Sequence, residues 1–499
     1  MKTPSVLLLL LLTLHLCAQD NGNLMFDESY VHEIRVTFTD SNFFEILEEN
    51  YDLLFDTGER IYLMADVEID GIAVDSIGFR QKGFFSNWGI FDKSVKKPFK
   101  IDFNEFVSGK KYDGLKKLNL QNAFLDPSFM RDALSYKLMR DVGIPAPRSS
   151  FARVYLNDEY WGLYIAVEQI DNKFLKNHFD DNDGNLFKCT NGTDLLYQGD
   201  DPLEYMDEFE LKTNEEENDW SGFIEMVEVF NAEQAIFSDA VSEHFNLAGF
   251  SRVVAADMIL TNWDSYHSNG RNFYLYEDPS TQVFHWLPWD YNLSISNFGT
   301  TLEFGANNID SPNPLSDNFF GDPTLRAAYY EDVCDLLQTT FNLAHVAPYV
   351  DAQRELISEA VDEDVNKFFS TDAFVQNIDE SYETFFGPTP GIKSYFEARV
   401  PEVLSQLEAV GYSCVATSTD EVAAQGMNLY PNPSTGQVII EHSEEGEYLE
   451  VYAITGALLH SVAIRGRQTS LDLSHLSPGI YLVSMGGSVG RYTGKLQIK

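Results

Sequence analysis

The 499-residue sequence predicts an α+β fold with two lobes, followed by a small all-β sandwich. From Val31 to Gln169, short runs that alternate apolar and polar residues indicate strands around one long helical pattern. From about Asp219, most apolar residues recur at helical spacing instead. After a stretch rich in Thr, Ser and Ala at 413–425, strand patterns return. This order predicts a small sheet lobe, a larger helical lobe with a cleft between them, a linker and a β module.

Alternation and turn residues predict the elements of the sheet lobe in chain order. Residues 32–38 and 65–70 alternate as half-buried strands do, and a helix-like stretch at 42–50 lies between them. Asp126, as N-cap before Pro127, predicts the start of the long helix, which ends near Val142. Asn157-Asp158 predicts a hairpin turn. The remaining predicted elements are strands at 97–103, 116–120, 150–155 and 160–169 and a helix at 172–178.

The segment at 426–499 has the pattern of a separate module. Its apolar runs at 437–440, 449–452 and 480–483 are short, and glycine or proline bounds them. Such spacing predicts a small antiparallel sandwich.

The charge balance excludes some classes of partner. The chain has 34 Lys+Arg against 78 Asp+Glu, a formal net charge of −44. A surface this acidic repels phosphate backbones and anionic lipid headgroups, which argues against nucleic-acid or membrane-surface binding.

The first 19 residues have the features of a secretory signal peptide. A lysine precedes a short leucine-rich run, and small and polar residues follow it. No later segment approaches the roughly 20 apolar residues of a membrane helix. In an exported chain, one disulfide among Cys189, Cys334 and Cys414 is possible, for example between Cys334 and Cys414, but the spacing does not assign it.

Two segments place polar residues in apolar surroundings in a pattern that predicts phosphoryl transfer. Asp264 follows a predicted helix, Asn272 lies at the end of the same loop, and Asp290 follows the next hairpin, with Asn292 two residues on. Kinases use one carboxylate to orient the acceptor hydroxyl, and an amide with a second carboxylate to hold magnesium. The alternative is that Asp264 and Asn272 only cap turns beside buried tryptophans.

The sheet lobe supplies cations in a chain that has few. Arg80 and Lys82 end one predicted strand, and Lys96, Lys97 and Lys100 lead into the next. In a protein this acidic, such a cluster favours an anionic ligand, and phosphate is the natural candidate. Farther along the chain, the strand exit at 168–171, beginning with Glu168, is where a hinge between two lobes would lie, and its backbone could hold an adenine edge.

Several short motifs, in order, resemble the spore-coat protein H (CotH) kinase family of atypical secreted kinases. The matching motifs are RQKG at 80–83, KPFKI at 97–101, LNLQN at 118–122, GIPAPR at 143–148, GLY at 162–164, EQID at 168–171, NWD at 262–264 and PWD at 288–290. The resemblance implies a protein-kinase-like domain at 27–412 that uses ATP with Mg or Mn to phosphorylate protein Ser/Thr.

The same resemblance implies roles for individual residues. Asp264 would be the catalytic acid, Asp290 the metal ligand, and Lys82 and Lys100 the phosphate contacts. Relatives often read Trp-Asp-x-Asp at the second acid, where this chain has Asn292. An amide oxygen binds metal more weakly than a carboxylate does, so this departure bears on activity.

The C-terminal segment resembles the type A sorting domain of the type IX secretion system. The matching motifs are LYPNPSTG at 429–436, VYAITG at 451–456, LSPGIYLV at 476–483 and KLQIK at 495–499. This resemblance implies a Bacteroidetes-type bacterium, the type IX machinery as a partner, and a protein that is secreted or attached to the outer-membrane surface.

Two other functions remain open from the sequence. One is a non-catalytic structural or adhesive surface protein on a kinase-like scaffold, which the Asn292 departure and the scarcity of ATP outside cells favour. The other, ranked last, is polymer binding, because one sequence does not separate exposed aromatic platforms from core aromatics.

Overall fold

The computed structural model describes residues 21–88, 94–298, 301–302, 313–414, 427–442, 448–453, 458–463, 468–474, 476–477, 479–487 and 490–499. The chain divides into two compact units after Cys414. The predicted leader at 1–19 and most of the predicted linker at 413–425 lie outside the described residues.

Seven strands of the first unit close into a barrel in the order β1-β2-β3-β4-β5-β7-β6. All neighbours are antiparallel except β1 and β6, which run parallel. The strands are β1 (His32–Thr37), β2 (Leu63–Ile69), β3 (Ile72–Gln81), β4 (Phe99–Asp102), β5 (Lys117–Gln121), β6 (Ser149–Leu156) and β7 (Glu159–Glu168). The predicted hairpin is confirmed, since β6 and β7 pair around Asn157 and Asp158, which both have positive φ.

The helices of this N-terminal part are α1 (Phe43–Thr57), α2 (Phe85–Trp88), α3 (Arg131–Asp141) and α4 (Asn172–His178). The predicted start of α3 at Asp126 is wrong. The Asp126 carboxylate accepts from the backbone N–H groups of Ser128 and Arg131, so it caps a turn that precedes the helix. Phe129 adopts φ +59°, which interrupts helical geometry, and the helix therefore begins at Arg131.

A second sheet and most of the helices follow. The sheet has the order β11-β10-β8-β9, and outward-facing barrel residues such as Phe151 and Val167 join the helical core. Its strands are β8 (Leu186–Cys189), β9 (Phe209–Leu211), β10 (Phe273–Asp278) and β11 (Val283–Pro288). The helices are α5 (Ser221–Phe230), α6 (Phe237–Ser242), α7 (Leu247–Leu260), α8 (Tyr266–Asn269), α9 (Pro314–Gly321), α10 (Pro323–Thr339), α11 (Leu343–Glu363), α12 (Thr371–Asp379) and α13 (Ile392–Ala409), with a hairpin of β12 (Tyr382–Thr384) and β13 (Gly387–Thr389) before α13.

A disulfide joins Cys334 of α10 to Cys414 at the end of this unit, which confirms the pairing considered from the sequence. Cys189 is free and buried. In the part of the chain that the structure describes, no helix is long and apolar enough to cross a membrane.

The C-terminal unit is all β. Its sheets have the orders β14-β15-β18 and β17-β16-β19-β20, and one cluster that includes Val438, Ile440, Leu449 and Val483 draws on both. The strands are β14 (Met427–Tyr430), β15 (Gln437–His442), β16 (Tyr448–Ala453), β17 (Leu458–Ala463), β18 (Gln468–Asp472), β19 (Gly479–Gly487) and β20 (Gly490–Ile498). Two antiparallel sheets that share a core form the small sandwich that the sequence predicts.

Candidate functional site

The Asp264 loop is held by its own side chains. Helix α7 ends at Thr261, which adopts a left-handed conformation with φ +47°. The half-buried Asp264 carboxylate accepts from the side-chain amides of Asn269 at 2.8 Å and Asn272 at 3.1 Å. Asn272 Nδ2 also donates to the Asp264 carbonyl at 2.6 Å. These bonds fix the carboxylate, and they leave Oδ1 as the atom through which Asn272 would hold a metal.

Helix α3 and a buried carboxylate hold the second acid. Asp290 follows β11 with φ +62°, and its backbone N–H donates to the Tyr136 hydroxyl at 2.8 Å. The next N–H, of Tyr291, donates to the Asp132 carboxylate at 2.9 Å. The Tyr291 hydroxyl donates to Asp257 of α7 at 2.5 Å. The backbone at Asp290 is therefore fixed from two helices.

The charges of Asp264 and Lys82 act on Asp290, and those of Asp290 and Lys82 act on Asp132. Burial raises the pKa of Asp290; the Lys82 ammonium opposes this effect and the Asp264 carboxylate adds to it. Burial and the Asp290 carboxylate raise the pKa of Asp132 well above its usual range. Burial lowers the pKa of Lys82 to about 8, and its Nζ donates to Gln121 at 3.0 Å. These residues form an acidic cluster that includes one lysine, Lys82.

A cavity of about 120 Å³ lies at the exit of the last barrel strand, near this cluster. Six of the chain's cations line it, namely Arg60, Arg80, Lys100, Lys117, Lys188 and Lys212. Some are neutralised, because Arg60 and Lys212 both pair with Glu210, at 2.7 Å and 2.8 Å, and Lys117 lies 3.5 Å from Asp102. Asp171, which also lines the cavity, caps α4.

Three cavity cations form no salt bridge within 4 Å among the described residues. Lys100 donates to the Gln169 amide oxygen at 2.6 Å, and Arg80 Nε is buried without a hydrogen-bond partner. Lys188 makes a cation–π contact with Tyr274, at 5.9 Å, and the Glu210 carboxylate acts on its charge from a greater distance. Burial and neighbouring cations lower the pKa of Lys100 well below its usual range, and burial lowers that of Lys188 to about 8. Six cations against three acidic residues around one cavity, in a chain of net charge −44, indicate an anion site.

Two lysines of the sequence-predicted cation cluster do not serve this cavity, so the prediction is wrong for them. Lys96 is fully buried in an ion pair with Asp364, which follows α11. Lys97 is also buried, and its Nζ donates to the Asn87 carbonyl at 2.7 Å. Both side chains stabilise the fold, because each satisfies buried polar groups.

The two remaining predicted residues lie at the edges of the site. The Glu168 carboxylate forms a bidentate pair with Arg148, at 2.6 Å and 2.9 Å, so its side chain is already engaged. Asn292 Nδ2 lies 3.4 Å from the Phe124 carbonyl.

Sequence reasoning missed Asp132, Tyr136 and Lys188. Asp132 and Tyr136 lie four residues apart on α3, inside the helix that the sequence predicts, but nothing in the sequence indicates that this face meets the Asp290 segment. The signal for Lys188 was present: it is a lone cation between Phe187 and Cys189 in a strand with buried neighbours.

The donor set fits a hard divalent cation held partly by a ligand. Among the described residues, no three His, Cys, Asp or Glu side chains group into a metal site. Magnesium in nucleotide sites usually needs only one or two carboxylates plus phosphate oxygens and water. Asp290, with the amide oxygens of Asn272 and Asn292, supplies donors of that type.

Paired acids beside a cationic cavity are groups of the kind that phosphoryl transfer uses. The chain belongs to the family described as CotH kinase protein, whose model matches residues 79–400, more than half of the sequence. Residues 428–499 match the secretion system C-terminal sorting domain, which supports a secreted or surface-attached location.

The chain is similar to individual proteins at low identity. The inner spore coat protein H of Bacillus subtilis is 25% identical over 271 residues, which cover 52% of this chain and 72% of that protein. Spore coat protein homolog 1 of Rhizopus delemar is 20% identical over 449 residues, covering 83% of this chain and 70% of that protein. A crystal structure of the Helicobacter pylori proinflammatory kinase CtkA matches at 10% identity over 62% of this chain and 94% of that one, with a TM-score of only 0.26.

Proposed function

We propose that this protein is an exported kinase that transfers the γ-phosphoryl group of ATP to Ser or Thr hydroxyls of proteins. The observation that carries the proposal is the proximity of Asp290 to both Asp264 and Lys82, beside a cavity lined by six cations. A carboxylate pair alone would suit many reactions, but the adjoining anion site favours a phosphorylated substrate.

In this proposal the cations bind the nucleotide phosphates. Arg80, Lys100 and Lys188 lose their mutual repulsion when an anion enters the cavity, and the charges of Lys82 and Asp290, which do not line the cavity, act on each other beside it. Asp290, with the amide oxygens of Asn272 and Asn292, would hold Mg or Mn, which supplies charge neutralisation for the phosphates.

Asp264 orients the acceptor. Its carboxylate is held by two amides, so it can accept the proton of a Ser or Thr hydroxyl while the hydroxyl oxygen bonds to the γ-phosphorus. The bond between the γ-phosphorus and the oxygen bridging it to the β-phosphate breaks, and ADP leaves with that oxygen.

The test is transfer of labelled γ-phosphate to a generic protein acceptor with Mg or Mn. Asp264→Asn is expected to lower the rate by on the order of 10² to 10⁴-fold. Asp158→Asn is the matched control, because that side chain is 94% exposed on the β6–β7 turn. Absence of transfer, or transfer that survives Asp264→Asn, would overturn the proposal.

A non-catalytic scaffold is the second candidate, and Asn292 favours it by replacing a carboxylate expected at the metal. In that case neither ATP nor Mg would shift the unfolding temperature. Restoring the acid with Asn292→Asp would then leave both ATP binding and transfer unchanged.

A further inference from the structure

A largely apolar groove, whose one charged lining residue among those described is buried, lies beside the loops that carry the proposed catalytic acids. It is lined by residues that include Trp263, Asn292, Ile295, Phe298, Thr384 and Phe386. Trp263 immediately precedes Asp264, and Asn292 follows Asp290 by two residues. The β12–β13 hairpin forms the opposite wall through Thr384 and Phe386. The groove therefore adjoins the two loops that carry Asp264 and Asp290.

Exposed aromatic rings mark its rim. Phe298 is 47% exposed, Phe386 is 39% exposed and Phe85 is 41% exposed. Phe85 lies three residues after Lys82 in the sequence. The Phe85 ring lies 6.1 Å from that of Phe386, so residues before and after the acids in sequence meet at the rim. Phe385, at the hairpin tip, is 68% exposed. Several large apolar side chains left together in water indicate a binding surface.

The groove offers no free charge. Arg131 is its one charged lining residue among those described, and it is buried. Its guanidinium already donates to Asp126, Asn377 and the Pro390 carbonyl. A charged side chain that entered the groove would lose hydration without gaining a counter-ion, whereas an apolar side chain would gain burial.

We infer that this groove binds the acceptor segment of the protein substrate through an aromatic or large aliphatic residue close to the phosphorylated Ser or Thr. The inference rests on the proposed function, because the acceptor must reach Asp264. Consecutive Cα atoms are about 3.8 Å apart, so residues within a few positions of the acceptor cover the groove beside it. The groove thus favours substrates that have neutral, apolar residues on either side of the acceptor Ser or Thr.

Binding of fluorescent peptides to the full chain tests this preference without requiring catalysis. The peptides share a neutral background and one central Ser, and they are made in sets of three that carry Phe, Ala or Glu at one nearby position, with one set for each position. Fluorescence anisotropy is measured with the wild-type chain, with Phe386→Ala and with Phe85→Ala. Phe106→Ala is the control, because Phe106 is similarly exposed, at 40%, and does not line the groove.

The Phe peptide is expected to bind about tenfold more tightly than the Ala peptide, and the Glu peptide more weakly than either. Phe386→Ala and Phe85→Ala should each remove this advantage, and Phe106→Ala should keep it, with equal unfolding temperatures confirming folding. Equal binding of all peptides, or an advantage that survives both substitutions, overturns the inference. Phe386-dependent binding of a neutral oligosaccharide with no peptide binding would assign the groove to a polymer and also overturn it. The labelled-phosphate assay with Asp264→Asn tests the proposed kinase activity separately, because peptide binding is measured here without phosphate transfer.

Discussion

Replacing Lys188 by methionine is expected to make the ligand-free protein more stable and to weaken ATP binding. Lys188 shares the cavity with Arg80 and Lys100, and it forms no salt bridge within 4 Å among the described residues, although the Glu210 carboxylate partly offsets the effect of its burial. Its pKa is about 8 instead of 10.5, so holding its charge in the cavity costs roughly 3 kcal/mol. Methionine has a similar length and no charge. The variant should therefore gain about 1–3 kcal/mol in free energy of unfolding at pH 7.

The loss in binding follows from the same charge. A phosphate oxygen near 4 Å from the ammonium is worth up to about 4 kcal/mol at an effective dielectric constant of 20. Part of that energy offsets the cost of removing water from the phosphate when ATP binds. We therefore expect ATP to bind Lys188→Met about 10- to 100-fold more weakly.

Two measurements check this prediction, denaturant unfolding without ligand and isothermal titration with ATP. Lys212→Met is the matched control in the same cavity, because the Lys212 charge is already balanced by Glu210 at 2.8 Å and its removal should not stabilise the chain. Lys188→Arg should retain binding. A Lys188→Met variant that is less stable than the wild type, or one that binds ATP normally, would refute the reasoning.

Three further predictions concern pH, the Asp290 backbone and a buried ion pair. ATP affinity should fall as pH rises through about 8, because Lys82 binds anions only in its charged form, below its pKa. Titration calorimetry from about pH 6 to pH 10 measures this dependence, and an affinity that does not change with pH contradicts it. Tyr136→Phe leaves the Asp290 N–H without its acceptor, so it should lower the free energy of unfolding by about 1–3 kcal/mol and slow phosphate transfer. Lost stability with an unchanged transfer rate would contradict a positioning role for Tyr136. Asp364→Asn leaves Lys96 buried without a counter-charge and should lower the free energy of unfolding by about 3–5 kcal/mol, whereas wild-type stability would show that the charge is solvated.

Local sequence predicted the elements of this protein well where side-chain alternation and turn chemistry agree. The β6–β7 hairpin forms at Asn157-Asp158 because these residues tolerate positive φ. The C-terminal strands follow from short apolar runs between glycine and proline. The start of α3 was mispredicted because an Asp before Pro is an equally good signal for a turn, and Asp126 caps one.

The sequence by itself determined the acidic character, the strand and helix patterns, and the identity of Asp264, Asp290, Lys82 and Lys100 as candidates for chemistry. Only the tertiary structure decided which cations share one cavity, since Lys96 and Lys97 are close to Lys100 in sequence yet satisfy buried groups elsewhere. It also brought Lys188 beside Lys100. The physical reason is that alternation fixes which face of a strand a side chain takes, whereas the charges that meet across a cavity depend on barrel closure and on how helices pack against it.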